Sequence, residues 1–143
     1  MRKLTRIVAL LGFVLLVACA GKREEDKLLD LTLDQYAAAV RWGSVDDAMA
    51  FLAPEAPRPT AFELERLKQL QVAGYREQPP VVLSPTEVEQ IAQIDFVNRH
   101  TQEGKSTIER MRWRYDAAAK RWWLVSGIPR LRAFRIDDPP TYT

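Results

Sequence analysis

Two reactive side chains occur once each in this chain, the thiol of Cys19 and the imidazole of His100. A lone cysteine cannot form an intramolecular disulfide. One cysteine and one histidine are also too few for cysteine-rich zinc sites or multi-histidine metal sites. The sequence contains no phosphate-cradling glycine loop and no GxSxG nucleophile elbow. We therefore predict no catalytic residue set and no metal site.

Cys19 closes a short apolar run that follows a basic N-terminus. Residues 1–6 carry three basic side chains and no acid, and residues 7–18 are almost wholly apolar. A basic segment, an apolar segment and a small residue before the cut are the layout of a secretory signal. The alternative is a transmembrane anchor with an incidental cysteine. A spanning helix needs about 20 apolar residues, and this run is shorter.

The residues Leu16-Val17-Ala18-Cys19 resemble the lipobox of bacterial lipoproteins. The resemblance implies cleavage between Ala18 and Cys19, a diacylglyceryl group on the Cys19 thiol and an acyl group on the new amine. Two or three acyl chains make a stable membrane anchor. Ala20 follows where retained lipoproteins usually carry aspartate. In a diderm host this implies the periplasmic face of the outer membrane, with the covalent lipid as the only cofactor.

The composition divides the chain into four expected parts. Residues 1–18 form the signal peptide, 19–27 the lipidated cysteine and a flexible tether, 28–136 the globular domain and 137–143 a flexible tail. Removing the signal takes away three positive charges and changes the formal charge from +2 to −1. The basic pI of the whole sequence is therefore no argument for a nucleic-acid partner.

Three capping signals predict helix starts in the first half of the chain. Each is a serine or threonine followed three residues later by an acid or amide: Thr32 with Gln35, Ser44 with Asp47, and Thr60 with Glu63. The first predicts that the best-ordered helix begins near Leu33, and Gly43 predicts its end. Apolar residues recur at helical spacing along this segment: Leu29, Leu33, Tyr36, Ala37 and Val40.

The second half of the chain changes to a period of two, which is typical of strands with one buried face. Short loops separate these runs and predict an antiparallel meander. The expected strands are Val72–Tyr75, Val81–Leu83, Glu87–Asn98, Thr107–Tyr115 and Arg121–Val125. Helices first and an antiparallel sheet second is an α+β arrangement.

This order resembles the NTF2-like, or cystatin-like cone, superfamily. The resemblance is carried by residues 36–44 (YAAAVRWGS) and by the aromatic-rich final hairpin, MRWRY at 111–115 with RWWLV at 121–125. It implies N-terminal helices packed into the concave face of a curved sheet. Members range from isomerases and dehydratases to binding and dimerisation modules, and the enzymes place a carboxylate or histidine inside the cone.

Strand parity places Asp95 away from the core, because Ile94 and Phe96 have the opposite parity. His100 lies at the end of the same strand, either as an exposed loop residue or as a general acid or base at a pocket mouth. A small-molecule pocket or enzyme site between helices and sheet is therefore kept as an alternative. Its expected lining residues are Tyr36, Trp42, Tyr75 and His100.

The basic residues are concentrated late in the chain, with nine basic and two acidic residues between Lys105 and Arg135. Arg110, Arg112 and Arg114 alternate along one strand, so we expect a row of guanidinium groups on one face. Trp122 or Trp123 should lie beside the row, depending on register. Arginines beside an indole can bind a planar or anionic group.

The alternative for this row is an ordinary solvated sheet face with cross-strand pairs. A hairpin turn near residues 102–104 would place Asp95 opposite or diagonal to Arg110, and Gln93 opposite Arg112.

These observations together predict a non-enzymatic, lipid-anchored envelope module that binds a protein partner, a second copy of itself or a small anionic ligand. The alternatives are the pocket described above and an accessory subunit of an envelope or secretion assembly.

Overall fold

The computed structural model describes residues 2–131, and residues 2–20 only as the backbone of a helix. The side chains of the expected signal peptide, Cys19 and the 137–143 tail lie outside the described residues. Three helices and five strands follow in the described range. They are α1 (Arg2–Trp42), α2 (Val45–Met49), α3 (Ala61–Lys68), β1 (Leu70–Glu77), β2 (Val81–Ser84), β3 (Glu87–Asn98), β4 (Gly104–Asp116) and β5 (Arg121–Leu124).

Helix α1 continues without a break through residues 19–27, where a tether was expected. The predicted helix start near Leu33 is wrong. The hydroxyl of Thr32 donates to the carbonyl of Leu28 at 2.7 Å, so it bonds back within the helix instead of capping it. No proline interrupts this charged segment, and Lys22 pairs with Asp26 one turn later at 3.4 Å.

Helix α1 ends where Gly43 predicted. The Gly43 N–H donates to the Ala39 carbonyl at 2.9 Å, and a Cβ at position 43 would come within 2.7 Å of that oxygen. Glycine is therefore required by the close approach of the backbone.

The other two capping boxes are confirmed. The Ser44 N–H donates to the Asp47 carboxylate at 2.7 Å, and the Asp47 N–H donates back to the Ser44 hydroxyl at 3.2 Å. Thr60 and Glu63 make the same reciprocal pair at 2.9 and 3.2 Å. Each box satisfies N–H groups that the first turn of a helix leaves without intrahelical partners.

The five strands form one antiparallel sheet in the order β1-β3-β4-β5, with β2 paired to the first residues of β3. Register shifts interrupt β1 at Val72–Gly74 and β2 at Val82–Ser84, and such bulges bend the strands. Residues 51–53 continue the sheet beyond β5, because Leu124 exchanges backbone hydrogen bonds with Phe51 and Ala53 at 2.8 and 2.9 Å.

The β3–β4 hairpin turns earlier than expected, so the predicted pairing of Asp95 with Arg110 and of Gln93 with Arg112 is wrong. The observed partners are Ile91 for Arg110 and Glu89 for Arg112. The turn starts at Asn98, whose side-chain carbonyl accepts the backbone N–H groups of His100 and Thr101 at 2.9 and 3.2 Å.

The core fills the concave side of the curved sheet, against α1 and α2. Tyr36 from α1 packs edge-on against Trp113 at 5.1 Å and against Phe51 at 5.4 Å between ring centroids. Both Tyr36 and Trp113 are fully buried. Helices on the concave face of a curved antiparallel sheet are the α+β architecture that the resemblance implied.

Candidate functional site

The convex side of the sheet, called the outer face here, carries the predicted arginine row. Residues of alternating parity along β4 point to opposite sides, and Met111 and Trp113 are buried in the core. The side chains between them therefore share the outer face, which confirms the row. The outer face comprises Arg110, Arg112, Arg114 and Ile108 of β4, Glu87, Glu89, Ile91, Gln93 and Asp95 of β3, and Arg121 and Trp123 of β5.

Trp123, not Trp122, is the indole beside the row. Trp123 pairs with Arg114 across the β4–β5 ladder. The Arg121 guanidinium stacks over the Trp123 ring, 3.7 Å from the ring centroid. The indole N–H of Trp123 donates to the Asp116 carboxylate at 3.4 Å. Trp122 has the opposite parity and is 2% exposed. Its Nε1 donates to the carbonyl of Glu25, which ties α1 to the sheet.

The three arginines of the row differ in their partners. Arg110 bonds the Glu89 carboxylate at 3.1 Å, and Arg114 bonds Glu55 from the loop after α2. The N–H of Glu55 itself, and then the Arg114 guanidinium, hold the pKa of the Glu55 carboxyl below its ordinary value. Arg112 is exposed, and within residues 21–131 its guanidinium has no hydrogen bond or ion pair. One cation of the row is therefore unneutralised.

Asp95 lies on the outer face, as parity predicted. Its carboxylate accepts from the Ser106 hydroxyl at 2.6 Å and pairs with Arg76 at 2.8 Å. The Ser106 hydrogen bond is the main reason that the pKa of Asp95 is lowered, with smaller contributions from Gln93 and Arg76. This carboxylate is held charged on a solvated surface and does not enter the cone.

The four residues expected to line a pocket are not brought together. Tyr36 and Tyr75 are buried in the core, and Trp42 is 85% exposed at the end of α1. His100 is exposed in the β3–β4 turn, and its backbone N–H makes the turn hydrogen bond. Of the four, only Tyr36 and Trp42 border the same cavity.

That cavity has a volume of about 240 Å³ and opens between the end of α1, the start of β1 and residues 128–131. Its lining combines apolar side chains, such as Val40, Leu67 and Ile128, with the charged side chains of Arg41 and Arg99. This space could take a small molecule with both apolar and polar groups.

Sequence reasoning missed a carboxylate on the concave side of the sheet. Glu109 shares the parity of Met111 and Trp113, so the alternation that buries those two side chains turns Glu109 to the same side, where it is half-buried. Burial raises the pKa of Glu109, and the Thr107 hydroxyl, the Leu131 N–H and Arg130 oppose that rise. Burial, then Tyr75 and then Glu109 raise the pKa of Tyr36 well above its ordinary value.

A second polar pair on the concave side joins β1 and β3. Gln90 is 1% exposed and donates from Nε2 to the Glu77 carboxylate at 3.1 Å. Three buried side-chain atoms in this region have no hydrogen-bond partner among the described residues: Tyr36 Oη, Gln90 Oε1 and Trp113 Nε1. Buried polar atoms usually have a hydrogen-bond partner, so these three atoms are exceptions within the interior.

Within the residues whose side chains are described, no group of three or more His, Cys, Asp and Glu side chains is arranged to hold a metal ion. In the same part of the chain, no helix is both long enough and apolar enough to cross a membrane.

No protein-family model and no curated protein sequence matches this chain. A cystatin-like-fold protein of unknown function from Nostoc punctiforme is 11% identical over 71% of this chain and 86% of its own, with a TM-score of 0.45. The Δ5-3-ketosteroid isomerase of a Mycobacterium species is 11% identical over 69% and 88%, with a TM-score of 0.49. A candidate polyketide cyclase from Xanthomonas campestris is 15% identical over 76% and 92%, with a TM-score of 0.41.

These partial likenesses concern only the fold, the placement of helices on a curved antiparallel sheet. The activity in each name belongs to that protein. None is carried to this chain by identities of 11–15%.

Proposed function

We propose that this chain is a lipoprotein whose globular head is a non-enzymatic binding module at the periplasmic face of a diderm outer membrane. The support for the anchor is the basic and apolar N-terminal pattern that ends at Cys19. Acylation at Cys19 would fix the head to one leaflet without a spanning helix. The head would then act on molecules that reach it in the periplasm.

The binding surface proposed for the head is the outer face, and its partner is a protein with an acidic patch. The observation that carries this proposal is the unneutralised Arg112 between two paired arginines, close to the Arg121–Trp123 stack. A guanidinium group can form two parallel hydrogen bonds to one carboxylate. An exposed arginine and an indole on one face are also the residue types enriched at protein interfaces.

The test is chemical crosslinking in native envelopes, with mass spectrometry of the captured partners. Arg112→Glu should abolish capture of the partner and leave the melting temperature nearly unchanged, because none of the described ion pairs includes Arg112. Arg58→Glu is the matched control, since it makes the same charge change in an exposed loop before α3. Loss of capture in both variants, or an equal loss of stability in Arg112→Glu, would contradict a specific role for the outer face.

A second candidate function is small-molecule binding, with or without catalysis, in the 240 Å³ cavity. The observation in its favour is Tyr36, which is among the residues that line this cavity and whose buried hydroxyl has no partner among the described residues. Native mass spectrometry of protein purified from envelopes would test it. A bound small molecule that is lost in Tyr36→Phe would favour the cavity, and an unliganded mass would favour the outer face.

A third candidate, an accessory subunit of an envelope or secretion assembly, is a special case of the binding module. The same crosslinking would recognise it by several captured partners that belong to one complex.

A further inference from the structure

Strand β2 exposes three consecutive apolar side chains. Val81 is 58% exposed, Val82 70% and Leu83 49%. Consecutive residues of a strand point to opposite sides, so the exposed apolar surface covers both sides of β2. Prolines at positions 79, 80 and 85 border the strand. A continuous apolar segment of this kind differs from the isolated exposed apolar residues that soluble surfaces normally carry.

The position of β2 relative to α1 is the second observation. Val82 borders a cleft of about 210 Å³ together with Lys22 and Asp26 of α1. Cys19 lies three residues before Lys22 on the same helix, which is about 4.5 Å along the helix axis. The proposed site of acylation therefore lies at the end of the head that carries β2.

The β4–β5 turn lies at the same end of the head. The Tyr115 N–H donates to the carbonyl of Thr86 beside β2, and Trp122 bonds Glu25 of α1. The turn between β4 and β5 exposes Lys120, a cation without a paired acid in the described ion pairs. The opposite end of the head is marked by Trp42, about 30 Å from Lys22 along α1.

We propose that β2 lies against the bilayer, with the side chains of Val81, Val82 and Leu83 in its interfacial layer. The inference rests on the lipid anchor of the proposed function and adds an orientation to it. The occupant of the apolar surface is a phospholipid membrane, because the anchor holds this end of the head at the bilayer. Lys120 would face anionic headgroups. The acyl chains supply the attachment, and β2 restricts the angle of the head, so that the outer face stands clear of the membrane.

The test uses the natively lipidated, full-length protein in vesicles of phosphatidylethanolamine and phosphatidylglycerol. Val82→Cys is labelled with a bimane probe, since an acylated Cys19 does not react with the reagent. Ile108→Cys is the matched control: it is 62% exposed on the outer face and lies about 17 Å further along the sheet. Phospholipids brominated near the glycerol end of the acyl chains serve as the quencher, and the unlabelled wild type is treated with the reagent in parallel.

We expect the brominated lipids to reduce the bimane fluorescence at position 82 by about twofold or more and to leave the fluorescence at position 108 unchanged. If the wild type does not react with the bimane reagent, the anchor is intact. Equal quenching at positions 82 and 108, or no quenching at either, would then overturn the orientation alone. Dimerisation that protects position 82 from quenching would also overturn it, since the occupant would then be a second copy. Reaction of the wild type at Cys19 would overturn the anchor, and the orientation with it.

Discussion

Glu89 lies directly across from Arg112 on the neighbouring strand, yet its carboxylate bonds Arg110 at 3.1 Å. The ion pair is therefore diagonal, and the guanidinium of Arg112, in the middle of the row, has no hydrogen bond or ion pair to any side chain of residues 21–131. The face is neither fully neutralised by cross-strand pairs nor a row of three free cations. Recognition of an acidic partner would depend on this one residue more than on its two neighbours.

Glu89→Gln is expected to strengthen capture of the acidic partner, because it removes the carboxylate that neutralises Arg110. The cost to the free energy of unfolding should be about 0.2–1 kcal/mol, the usual range for an exposed ion pair. Partner capture and thermal melting measure the two effects. Weaker capture would indicate that the partner contacts Glu89 itself and does not bind the row of cations.

Tyr36→Phe is expected to stabilise the protein by about 1 kcal/mol, because an unpaired buried hydroxyl carries an uncompensated desolvation cost. Tyr75→Phe is the control, since the Tyr75 hydroxyl lies 3.9 Å from the sulfur of Met111 and its removal should change stability less. Denaturant titration measures both variants. Marked destabilisation by Tyr36→Phe would mean that the hydroxyl has a partner in solution, which would favour the cavity as the site of function.

Glu109 should make the stability of the head fall as pH rises above the ordinary carboxyl value of 4.5. Burial raises the pKa of Glu109 in the folded state, so the folded protein binds the proton more tightly than the unfolded chain does. Between pH 4.5 and the raised pKa, the unfolded chain loses this proton while the folded protein still holds it, so the free energy of unfolding falls as pH rises through this window. Glu109→Gln should therefore show a smaller loss of stability with pH across that window, as measured by denaturant titration at several pH values.

An identical pH dependence in wild type and Glu109→Gln would contradict the burial of this carboxyl. Glu77→Gln is a useful comparison, because burial also raises the pKa of Glu77, with Asp34 adding to the rise.

Asn98→Ala is expected to destabilise the β3–β4 hairpin by about 1 kcal/mol, since the side-chain carbonyl accepts two backbone N–H groups of the turn. His100→Ala should have little effect, because only the backbone of His100 takes part in the turn. Chemical denaturation of the two variants makes the comparison. An equal effect of both would contradict the account of why the hairpin turns at Asn98.

The main features of the fold were predictable from local sequence signals. Two of three capping boxes mark helix starts, and the alternation along β3 and β4 separates buried from exposed side chains. The third box did not mark a helix start, because Thr32 lies within an uninterrupted helix, where its hydroxyl donates to the Leu28 carbonyl. A capping pattern fixes a helix start only where the preceding residues leave the helical conformation.

The register of the arginine row was not predictable from alternation. Parity fixes the face of Arg112 but not its cross-strand neighbour, which depends on where the turn begins. The signal was present in Asn98, a residue that can accept backbone N–H groups within a turn. Glu109 was missed for a different reason: its parity was readable, but parity alone does not distinguish a half-buried carboxylate from a solvated one.

Residue type alone does not predict which side chains share a pocket, as the four expected pocket residues show: Tyr36, Trp42, Tyr75 and His100. Their separation follows from the fold, since Tyr75 lies within the filled core while His100 lies in the turn beyond the sheet. Side chains from different elements can be grouped only once the packing of those elements is known.

The central claim is that an envelope partner contacts the head through its outer face. The most direct test is site-specific photocrosslinking in native envelopes, with the photoreactive residue at Ile108 on the outer face or at Phe62 on α3; their exposed fractions are 62% and 79%. The account predicts a crosslinked partner at Ile108 that disappears when Arg112→Glu is added, and none at Phe62. Crosslinking at Phe62 alone, or crosslinking at Ile108 that persists with Arg112→Glu, would contradict it.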